Sequence, residues 1–148
     1  MLILLPSEEY IREIHQIIIE EFDDEDGDLH PEVVSLALDR AKQYINYEEC
    51  NLHKVFAVVL DTLANKHPFL DGNKRTALVT TVSSYRLNGV DLSYEHLAQE
   101  DFVDLMLWVV DRSERKSIDD IAMKLMILIN KYATKGAKLA LSKAEYKF

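Results

Sequence analysis

Hydrophobic residues recur along this chain at intervals of three and four, the spacing that lines one face of an α-helix, and turn-forming residues break the pattern into segments. Ser7 is a good N-cap, Glu8 and Glu9 suit a first turn, and Ile11, Ile14, Ile18 and Phe22 keep helical spacing to about residue 22. The acidic run Asp23 to Asp28, broken by Gly27, ends that helix; it lacks EF-hand spacing and reads as a solvated loop. Pro31 opens a second helix, with Val34, Ala37, Leu38 and Ala41 along one face. A third, from about Leu52 to Lys66, turns Val55, Phe56, Val59, Leu60 and Leu63 inward. A fourth runs from near Asn73 to about Asn88, carries Ala77, Leu78, Thr81, Val82 and Tyr85 at core spacing, and has Gly89 as a natural C′ residue. A short helix starts near Ser93, and Phe102, Leu105, Met106 and Val109 mark another. Ser117 with Asp120 resembles a capping box for a last helix bearing Ile118, Ile121, Leu125 and Leu128, closed by Gly136. Met1 to Leu5 reads as a short strand or a capping segment.

The expected fold is therefore all-α, a single-domain bundle of about six to seven helices. With 148 residues, 48% of them hydrophobic, and only 4 Gly and 3 Pro, the chain can bury a sizeable core. No repeat and no linker divides residues 1–134. Residues 135–148 change character: Lys135, Lys138, Lys143 and Lys147 face one acid, Glu145, among Leu139, Leu141, Tyr146 and Phe148. That basic tail either packs back on the domain, the reading favoured, or binds an acidic partner. A net charge of −9 argues against nucleic-acid or anionic-membrane binding. Cys50 is the only cysteine, so an intrachain disulfide is excluded and a reducing cytoplasm is the natural setting. The apolar start is too short for a signal-peptide core, and no other stretch approaches membrane-spanning length.

Candidate chemistry concentrates in His67 to Ala77, HPFLDGNKRTA. Pro68 disfavours helical backbone at His67, so the imidazole is held where the third helix stops. Asn73 is a good N-cap for the fourth helix, whose first amides have no partner inside the helix and form a ready anion site. Gly72 permits positive φ and close approach of a ligand to the backbone. Lys74 and Arg75 add a point charge and a planar fork for phosphate oxygens. Asp71 suits an octahedral Mg²⁺ carried in by a nucleotide, and His67 suits removal of a hydroxyl proton at neutral pH. Phe69 is expected to turn inward as the anchor of the motif. The other histidines, His15, His30, His53 and His96, lack metal-ligand spacing; on a helix, His15 and His53 read as surface or satisfied core residues, and Met106, Met123 and Met126 as core filler.

The same residues resemble the active-site motif of the Fic/Doc (fido) superfamily, H-x-F-x-[DE]-G-N-G-R-x-x-R, at His67, Phe69, Asp71, Gly72, Asn73 and Arg75. Lys74 and Leu78 depart from it where adenylylating Fic enzymes have a second glycine and a second arginine, and both departures match the death-on-curing (Doc) branch, H-x-F-x-D-x-N-K-R-T-A. The resemblance extends over roughly residues 7 to 130, through Pro31 to Leu38 and Leu87 to Leu92. It implies a fido fold in which the region of Tyr44, Ile45, Asn46 and Tyr47 is either a β-hairpin flap that docks the target's backbone or an ordinary helix connection. It also implies ATP or another nucleoside triphosphate, with Mg²⁺, as reactant. A Doc-like member would move the γ-phosphate to a Ser, Thr or Tyr hydroxyl of a target protein such as elongation factor Tu. The second reading is an adenylyltransferase, toward which Gly72 leans, since Doc-type motifs often have alanine there. The third is a degenerate domain that binds without catalysis. No inhibitory segment of the form [ST]-x-x-x-E-[GN] occurs in these residues, so restraint is expected from a separate antitoxin chain.

Overall fold

A computed structural model describes residues 2–47 and 50–133. In chain order it contains α1 (Glu8–Phe22), α2 (Glu32–Ile45), α3 (Leu52–Asn65), α4 (Asn73–Leu87), the 3-10 helix η1 (Tyr94–Ala98), α5 (Glu100–Val110) and α6 (Ile118–Tyr132). The fold is all-helical, with no strand among the described residues. No helix there is long and apolar enough to cross a membrane.

α3 is the centre, and α2, α4, α5 and α6 all pack on it. Its run Val55 to Leu60 is apolar on every side and wholly buried, as expected of a helix with neighbours all round. α4 reaches it through small residues: Thr76, Ala77, Thr80, Thr81, Ser83 and Ser84 are buried. Small side chains let two helix backbones approach, and the hydroxyls of Thr81 and Ser84 donate to the carbonyls of Ala77 and Thr80 four residues back. The phenol of Tyr85 meets His53 Nδ1 at 2.7 Å inside the α3–α4 contact.

Local signals set the boundaries. Ser7 accepts from Tyr10 N, Asn51 accepts from Lys54 N, and Ser117 and Asp120 form a reciprocal capping box. Gly89 follows α4 at φ +85°. Residues ahead of α1 cap α4: Leu4 N–H and C=O both pair with the side chain of Asn88 at 2.8 Å.

Several expectations are corrected. Phe22, the last residue of α1, is exposed beside the Arg75 guanidinium, and Met123 stands exposed on α6. Tyr44 and Ile45 form the last turn of α2, with Asn46 as its C-cap and Tyr47 exposed. Packing of Tyr44 and Ile45 on the core outweighs their β preference, so helix replaces hairpin there. Gly136 and the basic tail 135–148 lie outside the described residues.

Candidate active site

The motif loop leaves α3 abruptly. Lys66 N–H closes the helix on Thr62 O, and His67 then takes φ +49°, the left-handed region, where a non-glycine residue carries strain on the order of 1 kcal/mol. Pro68 forbids the helical alternative, and the chain escapes through the left-handed turn instead of an extended one. The turn is held from outside. Pro68 O accepts from Leu29 N at 2.9 Å and His30 N at 3.0 Å, Leu70 N donates to Gly27 O at 3.0 Å, and Asp28 bridges Phe69. The acidic segment, expected as a solvated loop, is mostly exposed and also acts with Leu29 and His30 as a splint for the motif.

From inside, the loop is held by Asn73 and α1. Asn73 is the first residue of α4, not its cap: Gly72, at φ +78°, occupies the N-cap position. The Asn73 amide donates to Phe69 O at 2.9 Å and accepts from Phe69 N at 3.1 Å, closing the loop as a ring. Phe69 points inward, 2% exposed, and stacks on His15 with centroids 3.6 Å apart. His15 Nε2–H donates to Asp71 O at 2.9 Å, which fixes its tautomer, since a carbonyl can only accept. Ile18, Ile19 and His15 lie against the empty side of Gly72.

These constraints shape a cavity of about 590 Å³. Its polar side is His67, Asp71, Gly72, Asn73, Lys74 and Arg75; its apolar side is Leu70, Leu78 and, from α5, Val103, Met106, Leu107 and Val110; Arg112 also lines it. His67 is exposed and makes no hydrogen bond or ion pair among the described residues. Thr76 N begins the helical ladder at Gly72 O, and no side chain caps α4, so the amides of Asn73, Lys74 and Arg75 at its mouth have no helical acceptor. Lys74 has no ion pair among the described residues. Arg75 is 3.5 Å from Asp24, whose Oδ2 is buried without a hydrogen bond, and lies over the Phe22 ring at 3.9 Å. Asp71 accepts from Gly72 N at 2.9 Å and Glu25 N at 3.4 Å and is, among the described residues, the one acid lining the cavity.

Every residue singled out between His67 and Arg75 converges on this cavity except Phe69, which lies beneath it as an anchor. Tyr44, Ile45, Asn46 and Tyr47 do not line it. His15, Asp24, Arg112 and the α5 wall were not singled out as site residues. His15 had a signal, since it shares the buried face of α1 with Ile11 and Ile18; Arg112 had none.

Fold and cavity together define a helical domain in which an exposed imidazole and the N-terminus of α4 line one cavity. The chain belongs to the Fic/DOC family, whose model matches residues 5–83, from the segment before α1 into α4. Proteins of this family generally transfer nucleotide-derived groups to other proteins. Comparison with curated proteins gives no match.

Proposed function

We propose that the chain is a Doc-like phosphotransferase that moves the γ-phosphate of a nucleoside triphosphate to a Ser, Thr or Tyr hydroxyl of a target protein. The observation that carries this reading is the exposed, unbonded imidazole of His67 on the same cavity as the open amides of α4 and the unpaired Lys74. His67 takes the hydroxyl proton as the oxygen forms its bond to the γ-phosphorus; the bond to the bridging oxygen breaks, and the nucleoside diphosphate leaves. General-base help of this kind contributes a factor of about 10² to 10⁴. Lys74 and the amides at the α4 mouth meet the charge that builds on the transferred group, and Arg75 does so once drawn from Asp24.

An ion that keeps most of its waters and arrives on phosphates needs one protein carboxylate. Asp71, which lines the cavity, would be that carboxylate, and Mg²⁺ held there would supply charge neutralisation. Phosphate over AMP transfer is favoured by Lys74 and by Leu78, whose apolar side chain is part of the cavity wall. Elongation factor Tu is the target that the Doc resemblance suggests. A restraining antitoxin has a surface to use: a groove of about 670 Å³ along α1, α4 and η1, lined by Ile14, Ile17, Phe22 and Tyr94, which shares Arg75 and Leu78 with the cavity.

Incubation with a cell lysate and either α- or γ-labelled ATP tests the reading. Protein label from the γ position alone, lost in His67→Ala, is the expected result. Label from the α position would make the chain an adenylyltransferase, and no label from either would leave a binding module.

A further inference from the structure

We infer that Arg112 is a third cation of the cavity and a specificity-determining residue that recognises the polyphosphate of the nucleotide and not its nucleoside; the inference rests on the nucleotide reading above. Arg112 lies outside the motif and beyond the residues matched to the family, yet it lines the same cavity as His67, Asp71, Lys74 and Arg75.

Charge is the first reason. The two motif cations are both opposed: Lys74 and Arg75 stand against Asp71, which lines the cavity, and Asp24, which pairs with Arg75 from outside it. Such a mouth has little side-chain charge with which to attract a triphosphate of about four negative charges. Arg112 tips the sum to positive, and it does so from the α5 side of the cavity, distant in sequence from the motif cations.

Availability is the second. In a chain with 26 acids against 17 bases, Arg112 is exposed and has no carboxylate partner among the described residues. Its neighbour Asp111 is already engaged, accepting from Ser113 N at 2.9 Å and Ser113 Oγ at 2.7 Å, bonds that hold its carboxyl below the usual range. Lys116 Nζ donates to the carbonyls of Asp111 and Glu114, so the turn that carries Arg112 is tied down while its guanidinium stays unspent. A planar fork of donors matches phosphate oxygens.

The turn supplies its own control. Arg115, three residues on, lines a different depression with Arg40, Asp61 and Ser117. Isothermal titration of the full chain with ATP, ADP and adenosine in the presence of Mg²⁺ would compare wild type, Arg112→Ala, Arg112→Gln, Arg112→Lys and Arg115→Ala. ATP binding is expected to weaken about tenfold in Arg112→Ala and Arg112→Gln, the effect of losing one charge-assisted contact, and to recover in part in Arg112→Lys. Adenosine binding, and every affinity of Arg115→Ala, should move less than about twofold. Equal losses for ATP and adenosine, an equal loss in Arg115→Ala, or unchanged ATP binding in Arg112→Gln would overturn the inference while leaving the nucleotide reading intact. Failure of the wild type to bind ATP would remove both.

Discussion

Gly72 shows how much one residue sets in this motif. At φ +78° an L side chain is strained, yet an added Cβ would find Ile19, Ile18 and His15 at 3.4, 3.5 and 3.6 Å, ordinary contact distances. Gly72→Ala is therefore expected to cost about 1 kcal/mol from backbone strain alone, without steric collapse. A lower urea midpoint with an unchanged slope and an unchanged circular dichroism spectrum would show it. His15 holds the loop at two points, by its stack on Phe69 and its bond to Asp71 O. His15→Phe keeps a ring on Phe69 and loses the bond to Asp71 O, so stability should fall by about 0.5–1.5 kcal/mol. If His15 only filled space, transfer activity at saturating ATP would stay at the wild-type rate. The expected result is a reduced rate with little change in KM.

Whole elements are held by their ends and by a few clamps. Ser117→Ala removes half of the capping box of α6 and should cost about 1 kcal/mol, measured by chemical denaturation. α5 and α6 are joined at Asp101, which accepts from Lys131 and from the Tyr132 hydroxyl, bonds that hold its carboxyl below the ordinary range. A carboxyl lowered in the fold stabilises above the unfolded value of about 3.9 and loses that contribution as pH falls through the lower folded value. Asp101→Asn should accordingly be less stable than wild type at neutral pH, with the gap closing in acid. Urea midpoints of both proteins at about pH 7 and about pH 2 would check this.

On the scale of the molecule, α4, which opens at the cavity, packs on α3, and Tyr85 is a fully buried polar group between them. Wholly buried against Phe56 and bonded to His53, its phenol is pushed well above the usual tyrosine range by loss of solvent. Unfolded tyrosine ionises near pH 10 while Tyr85 in the fold stays neutral, so stability should fall as pH rises above about 10. In Tyr85→Phe that alkaline loss should shrink, while neutral stability drops by about 1 kcal/mol for the missing hydrogen bond. Thermal melts between about pH 8 and pH 11 would separate the two effects.

Helix identity, most helix ends and the motif were legible in the residues because each is decided within a few positions: an apolar period, a serine cap, a proline after a histidine. The contacts that turn the motif into a cavity are not local. His15 reaches Asp71 across 56 positions and Glu25 reaches it across 46, and both depend on α1 packing beside α4. That packing put a splint where a solvated acidic loop was expected and paired Arg75 with Asp24, while packing of α2 on the core kept Tyr44 and Ile45 helical. The chain alone thus determined which parts exist and in what local conformation. Tertiary structure decided which cations stay unpaired, which wall faces the imidazole, and that Arg112 joins the cavity, because burial and charge pairing depend on neighbours distant in sequence.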